Sequence, residues 1–383
     1  MVVGYLPWAV VSARVSPPTT KLTTPSPPVS SVTKPPTLVS ASDAVSRSRR
    51  PAAHLTFSAQ PTDAEFFRAR LFSEPLLPIG GRTTAAENTA LAHALVTYAA
   101  ASQPEDVEPV LSFLDKHRET PWRGSLLVNL GDVYQRTGYS ARALAAWDDA
   151  WKATKDASDI SGRAVADRAL AEWLTLALSQ GKITDVRQRL HDTKAREVLG
   201  TAESKIRIVH ERLSLLTHHP ELLVPAEQRA LERLAAYTHP PTTTSRTSLA
   251  TADSTHTPPL ARLSVRMPEA PGRRSWFATV RRALRLGLSL RPAMRSATGR
   301  MLAPSIVRLR AGYAVAVLDA HDERLLVYDP LLGEERWIAS KALGEEASGA
   351  ALIRTGDMPV GWAAGDSSAM VFWRDVPPGP SGR

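Results

Sequence analysis

The chain contains no cysteine in 383 residues, which excludes disulfide bridges, thiolate metal sites and a thiol nucleophile. It has no apolar run approaching the ~20 residues that a membrane-spanning helix needs. Aromatic residues are sparse, at 6%. Acidic residues are nearly missing from positions 14 to 62, where Asp43 stands alone among the proline pairs Pro17-Pro18, Pro27-Pro28 and Pro35-Pro36. A segment rich in Pro, Ser and Thr cannot bury enough apolar area to offset its ordering entropy, so residues 1–62 are expected to be disordered. Several catalytic signatures are also missing. There is no Gly-rich phosphate loop and no Gly-x-Ser-x-Gly elbow, and His210-Glu211 begins a His-Glu-x-x-His zinc motif that Arg212, Leu213 and Ser214 break. His218-His219 has nothing at ligand spacing to complete a metal site, so neither metal nor cofactor is expected.

What remains is ample for folding. Hydrophobic residues make up 43% of the chain, and the length accommodates two domains. The net charge of +9 is concentrated in arginines over residues 262–310. These alternate with Phe277, Val280, Leu284 and Leu288 at helical spacing, the pattern of an amphipathic helix with a wet basic face. No aromatic platform accompanies the charge, and nucleic-acid binding is not expected. Met1 to Ala13 form an apolar start ending in a small-x-small pattern with no positive residue ahead of it, which leaves cytoplasmic and exported destinations both open.

Residues 83–235 read as consecutive helices, with Thr83-Thr84 before Ala85-Ala86-Glu87 as a candidate N-cap. The sharpest pattern is Leu127-x-x-Leu130-Gly131-x-x-Tyr134, Gly138, Ala143-x-x-x-Trp147-x-x-Ala150, which resembles a tetratricopeptide repeat, with Lys155 where a closing proline is usual. Small residues at 131, 143 and 150 would let two helices approach while Leu130, Tyr134 and Trp147 fill between them. Weaker units occupy residues 90–121 and 168–190. Trp147, Trp151 and Trp173 are expected in the core.

The second half carries a further series of blocks. Pro220 to Leu231 corresponds to the Cys-Gly-Pro-x-Ala-Leu segment of a peptidase, with Ala226, Glu227 and Gln228 at the Cys, Gly and Pro. Gly312-Tyr313-Ala314-Val315 corresponds to Gly-His-[Phe/Tyr]-Val, and Asp329-Pro330 with Gly333 to an Asp-Pro block. In this order the blocks resemble the bacterial papain-like peptidases that cleave double-glycine leaders, in particular relatives with tetratricopeptide-like helices ahead of the peptidase fold. The resemblance spans about residues 62–375. It implies an α+β chain: a disordered segment over 1–62, a tetratricopeptide-like domain over 63–220, a smaller degenerate papain-like domain over 221–375 with a low-complexity insert near 238–259, and a tail over 376–383.

It also implies an emptied catalytic centre, since a cysteine peptidase needs a thiolate, a base and a group that orients the base. Ala226 at the cysteine position offers no lone pair, and Tyr313 at the histidine position carries a phenol that titrates near ~10. Asp329 alone is retained, and is expected to bond backbone donors at the turn before Pro330. The resemblance therefore suggests a non-catalytic bacterial protein that binds a protein or peptide. A hydrolase with an unrecognised Ser or Thr nucleophile beside Asp329 and a histidine is the enzyme alternative, and a decayed fragment of a larger protein is a third. The face of the first repeat helix left over from packing, Ser125, Val128, Asp132, Gln135 and Arg136, is the candidate peptide-binding surface. The oligomeric state is not legible in the sequence.

Overall fold

The computed structural model describes residues 55–198, 200–218, 226–239, 276–356 and 358–365. Their architecture is mixed α+β, with eleven helices and one seven-stranded sheet among the described residues. The expectations for residues 1–54, for most of the 238–259 insert and for the 376–383 tail lie outside the described residues.

The helical half runs through α1 (Asp63–Ala69), α2 (Ala85–Ala99), α3 (Glu108–Lys116), α4 (Arg123–Thr137), α5 (Ser140–Thr154), α6 (Ile160–Ser179), α7 (Ile183–Asp192) and α8 (Thr201–His218). Their starts follow from local chemistry. Thr84 caps α2 by accepting from the Glu87 N–H at 3.2 Å while the Glu87 carboxylate accepts from the Thr84 N–H at 3.1 Å, a reciprocal capping box. Asp159 caps α6 by accepting from the Gly162 N–H at 2.7 Å. Gly138 ends α4 at φ +95°, a conformation that costs a side-chain-bearing residue.

The α4/α5 pair is held by shape. Leu130, Tyr134, Ala143, Trp147 and Ala150 are all buried. The Gly131 backbone lies so close to the Trp147 indole that a Cβ at residue 131 would sit 2.3 Å from Nε1. Trp147 Nε1–H in turn donates to the Val128 carbonyl at 3.2 Å, so the buried indole leaves no donor unpaired. Trp151 and Trp173 are half-buried instead, each covered by a guanidinium, Arg196 at 5.0 Å and Arg189 at 4.4 Å from the ring centroid.

One expectation is corrected at the start of this half. Residues 55–62, assigned to the disordered segment, are packed: Leu55 and Phe57 rest on the helical core, the Phe57 ring lies 4.9 Å from Phe66, and the Pro61 carbonyl accepts from Asn88 Nδ2 at 3.1 Å. The two apolar residues are too few to give a periodic signal, yet both find a place against α1.

The second half begins with α9 (Ala226–Thr238) and α10 (Trp276–Arg285), followed by β1 (Leu290–Arg295), β2 (Ser305–Leu309), β3 (Ala314–His321), β4 (Arg324–Asp329), β5 (Glu334–Ala339), α11 (Ser340–Glu346), β6 (Ala347–Arg354) and β7 (Trp362–Ala364). The strands pair antiparallel in the order β5-β4-β3-β2-β6-β1-β7. Along β3 the side chains alternate between two cores. Ala314, Ala316 and Leu318 face Ala230, Leu231 and Leu234 of α9, whereas Val315 and Val317 join Val327, Ile338, Ile353 and Leu343 of α11. Burial on both faces is why this strand reads as an unbroken apolar run rather than an alternating one. Leu284, expected in the apolar stripe of α10, is 59% exposed, while Leu288 beyond the helix is buried. No helix among the described residues is long and apolar enough to cross a membrane.

Candidate functional site

Ala226, Tyr313 and Asp329, the three residues that the resemblance sets at catalytic positions, lie in or beside one apolar cluster. Ala226 opens α9 and is fully buried, and it packs in the same cluster as Tyr313, which immediately precedes β3. The β3–β4 pairing, with Ala316 opposite Tyr328, carries Asp329 at the end of β4 to Tyr313. The Tyr313 hydroxyl donates to Asp329 Oδ2 at 3.2 Å. Asp329 Oδ1 accepts from the Leu331 N–H at 2.9 Å and from the Leu332 N–H at 3.4 Å, closing the turn through Pro330.

Electrostatics fix the protonation of this pair. Burial, reinforced by the neighbouring Asp329 charge, pushes the Tyr313 phenol well above its ordinary value, so it is a neutral donor and no base. Burial also raises the Asp329 carboxyl, opposed by the Leu331 N–H and the Arg336 guanidinium. Beside the pair is a cavity of about 20 Å³, room for roughly one water. Its lining includes Ser140 at the start of α5, Arg336, Ile338 and Glu346, but no histidine.

The helical half closes this side of the sheet. The Glu346 carboxylate accepts from the Ala141 N–H at 2.8 Å, near the N-terminus of α5, and Arg336 Nη1 donates to the Gln135 carbonyl at 2.9 Å. Burial raises the Glu346 carboxyl, and the Ala141 N–H opposes that rise. Gly138 lies against Ile338, with 3.0 Å between its would-be Cβ and Ile338 Cδ1.

The candidate peptide-binding face of α4 stands differently from its expectation. Ser125, Val128 and Asp132 are buried; Gln135 is half-buried, and Arg136 alone among the five is exposed. The chain's own residues 71–80, which are neither helix nor strand and bend at 72–74, cross this face. The Glu74 N–H donates to Asn129 Oδ1 at 3.0 Å, and Asn129 Nδ2 donates back to the Glu74 carbonyl at 3.2 Å. The Leu77 N–H donates to Ser125 Oγ at 3.2 Å, and that hydroxyl donates to the Leu77 carbonyl at 2.8 Å. The Glu74 carboxylate pairs with Arg168 Nη1 of α6 at 3.1 Å. Arg168 also reaches Asp132 at 3.3 Å and Glu172 at 2.8 Å, and Lys205 of α8 joins Glu172. Burial raises the Asp132 carboxyl against the pull of Arg168.

The face is thus an occupied groove rather than an open one, because its polar stripe on an otherwise buried helix must be satisfied from within the chain. Asn129, Arg168, Glu172 and Lys205 escaped the sequence reading. The signal for the first was present: Ser125, Asn129 and Asp132 recur at helical spacing along an otherwise largely apolar α4.

The chain matches no protein-family model, no curated protein and no solved structure.

Proposed function

We propose that this chain is a non-catalytic protein- or peptide-binding protein, built from tetratricopeptide-like helical hairpins and a degenerate papain-like domain. The observation that carries the proposal is the pairing of α4 side chains with the main chain of a segment that is neither helix nor strand. Asn129 and Ser125 each bond both the N–H and the C=O of one residue of that segment. Such bonds recognise peptide backbone without regard to side chain, which is what a peptide-binding groove requires. The absence of catalysis is supported by Ala226 and by the Tyr313–Asp329 pair, which together supply neither nucleophile nor base.

An array of overlapping 12-residue peptides incubated with the full chain tests the reading. Retention of a subset of peptides, each recovered uncleaved, is the expected result. Retention of none removes the peptide-binding reading. Cleavage that persists in an Asp329→Ala variant would put a hydrolase in its place.

A further inference from the structure

The segment over α4 combines main-chain pairing with side-chain selection. Its apolar anchors Phe72, Leu76 and Ile79 are buried, and between them Glu74 presents a carboxylate to Arg168. Asp132 and Glu172 also lie within ion-pair distance of Arg168, so its guanidinium sits among three carboxylates. The exposed Gly80-Gly81 pair lies at the far end of the segment, Gly80 at φ +76°. The near end is Arg70, in the left-handed region at φ +49°. Both ends are therefore marked by left-handed backbone, and residues 71–79 between them form no helix or strand, with the Ile79 N–H donating to the Pro121 carbonyl at 2.8 Å.

We propose that the Ser125–Asn129–Arg168 groove is a binding site for a peptide of the type Phe-x-Glu-Pro-Leu-Leu, and that residues 71–80 are its resident ligand, which such a peptide from a partner protein replaces. The proposal rests on the reading of the helical half as a peptide binder and deepens it by naming the ligand class. Three features define that class: a carboxylate for Arg168, free main-chain N–H and C=O groups for Asn129 and Ser125, and apolar side chains two residues to either side of the glutamate. A ligand tethered in cis acts at high effective concentration, so partner peptide binds the native chain weakly and binds strongly once the resident segment is weakened.

The test uses the full chain with a fluorescent peptide of its own residues 70–81, and a second peptide with lysine in place of the glutamate. Glu74→Lys in the chain sets a cation against Arg168 at a half-exposed position, which loosens the resident segment without emptying a core site. The Glu74→Lys chain should bind the glutamate peptide at least tenfold more tightly than the native chain does, and should not bind the lysine peptide. Hydrogen exchange on the native chain supplies a readout independent of the variant. The Glu74 and Leu77 amides should exchange faster than the core amides of α4, because the segment opens without global unfolding. Exchange of those two amides only through global unfolding would overturn the proposal, as would a cooperatively folded Glu74→Lys chain that binds both peptides equally or neither. Array peptides that bind native and variant chains alike would keep the peptide-binding reading and remove this groove from it.

Discussion

Tyr313 donates its hydroxyl to Asp329 Oδ2 at 3.2 Å, and both residues are buried. A carboxylate in this position is costly unless bonded, and here it has three donors, the phenol and the N–H groups of Leu331 and Leu332. Even so, burial leaves its pKa above the ordinary 3.8. The folded carboxyl then keeps its proton to higher pH than the unfolded one. In the window that opens near 3.8 and runs up to the raised folded value, the folded state binds more protons, so this group's contribution to stability falls as pH rises. Asp329→Asn keeps an acceptor for the Leu331 N–H and removes the titration. Urea midpoints from pH 3 to 7 should therefore move in the variant's favour relative to the native chain as pH rises. Parallel pH profiles for the two proteins would show that Asp329 does not titrate differently on folding.

Gly131 gives a prediction about packing. A methyl group there meets a fully buried indole at 2.3 to 2.7 Å, and Trp147 has no open side to retreat to. Gly131→Ala should lower stability by about 1–3 kcal/mol through overpacking, read as a lower urea midpoint with an unchanged slope. Trp147→Ala should cost more, about 3–5 kcal/mol, because it empties the same contact. A neutral Gly131→Ala would mean that α4 and α5 are further apart in solution.

These contacts show which parts of the molecule were legible in the sequence. The α4/α5 hairpin was, because its small and large residues recur at helical spacing within about thirty positions and a left-handed glycine separates them. The β3–β4 hairpin was less so. Its strand β3 is apolar on both faces and shows no alternation, and its two-residue turn is carried by Asp322 at φ +52° rather than by glycine. The crossing of α4 by residues 71–80 was not legible, since Asn129 and Ser125 find their partners 55 and 48 residues away and no local period records such a pairing. The same holds for the seam between the two halves, where Ala141 meets Glu346 across 205 residues. For the candidate site, the sequence indicated the polar face of α4, but whether that face was open depended on long-range contact.

The packed residues just before α1 lead to a third prediction. Phe57 packs beside Phe66 with the rings tilted by 41°, and Ser58 bonds the Glu65 carboxylate at 2.9 Å through both its N–H and its hydroxyl. Phe57→Ala should cost about 2 kcal/mol, less than the ~3–5 kcal/mol of a fully buried ring because Phe57 keeps partial exposure. Thermal melts of native and variant chains measure this directly, and an unchanged midpoint would return residues 55–62 to the flexible segment expected from composition.

The last prediction concerns building the catalytic centre that the resemblance implies. Replacing Ala226→Cys and Tyr313→His would supply the residue types of a thiol peptidase, yet the surroundings oppose reactivity. Position 226 is fully buried, and the cavity beside Tyr313 and Asp329 has room for about one water, not for a peptide. A thiol buried among apolar groups keeps its proton, and the thiol form is a poor nucleophile. Glu227 and Gln228 also stand where the resemblance places Gly and Pro, so the turn that would hold an oxyanion is altered. The doubly substituted chain should therefore resist alkylation by iodoacetamide when folded, react fully in urea, and cleave no leader peptide. Alkylation of the folded chain at the rate of a free thiol would mean that the cleft opens in solution, and the closed seam formed by Gly138, Ala141, Arg336 and Glu346 would then be the contact that gives way.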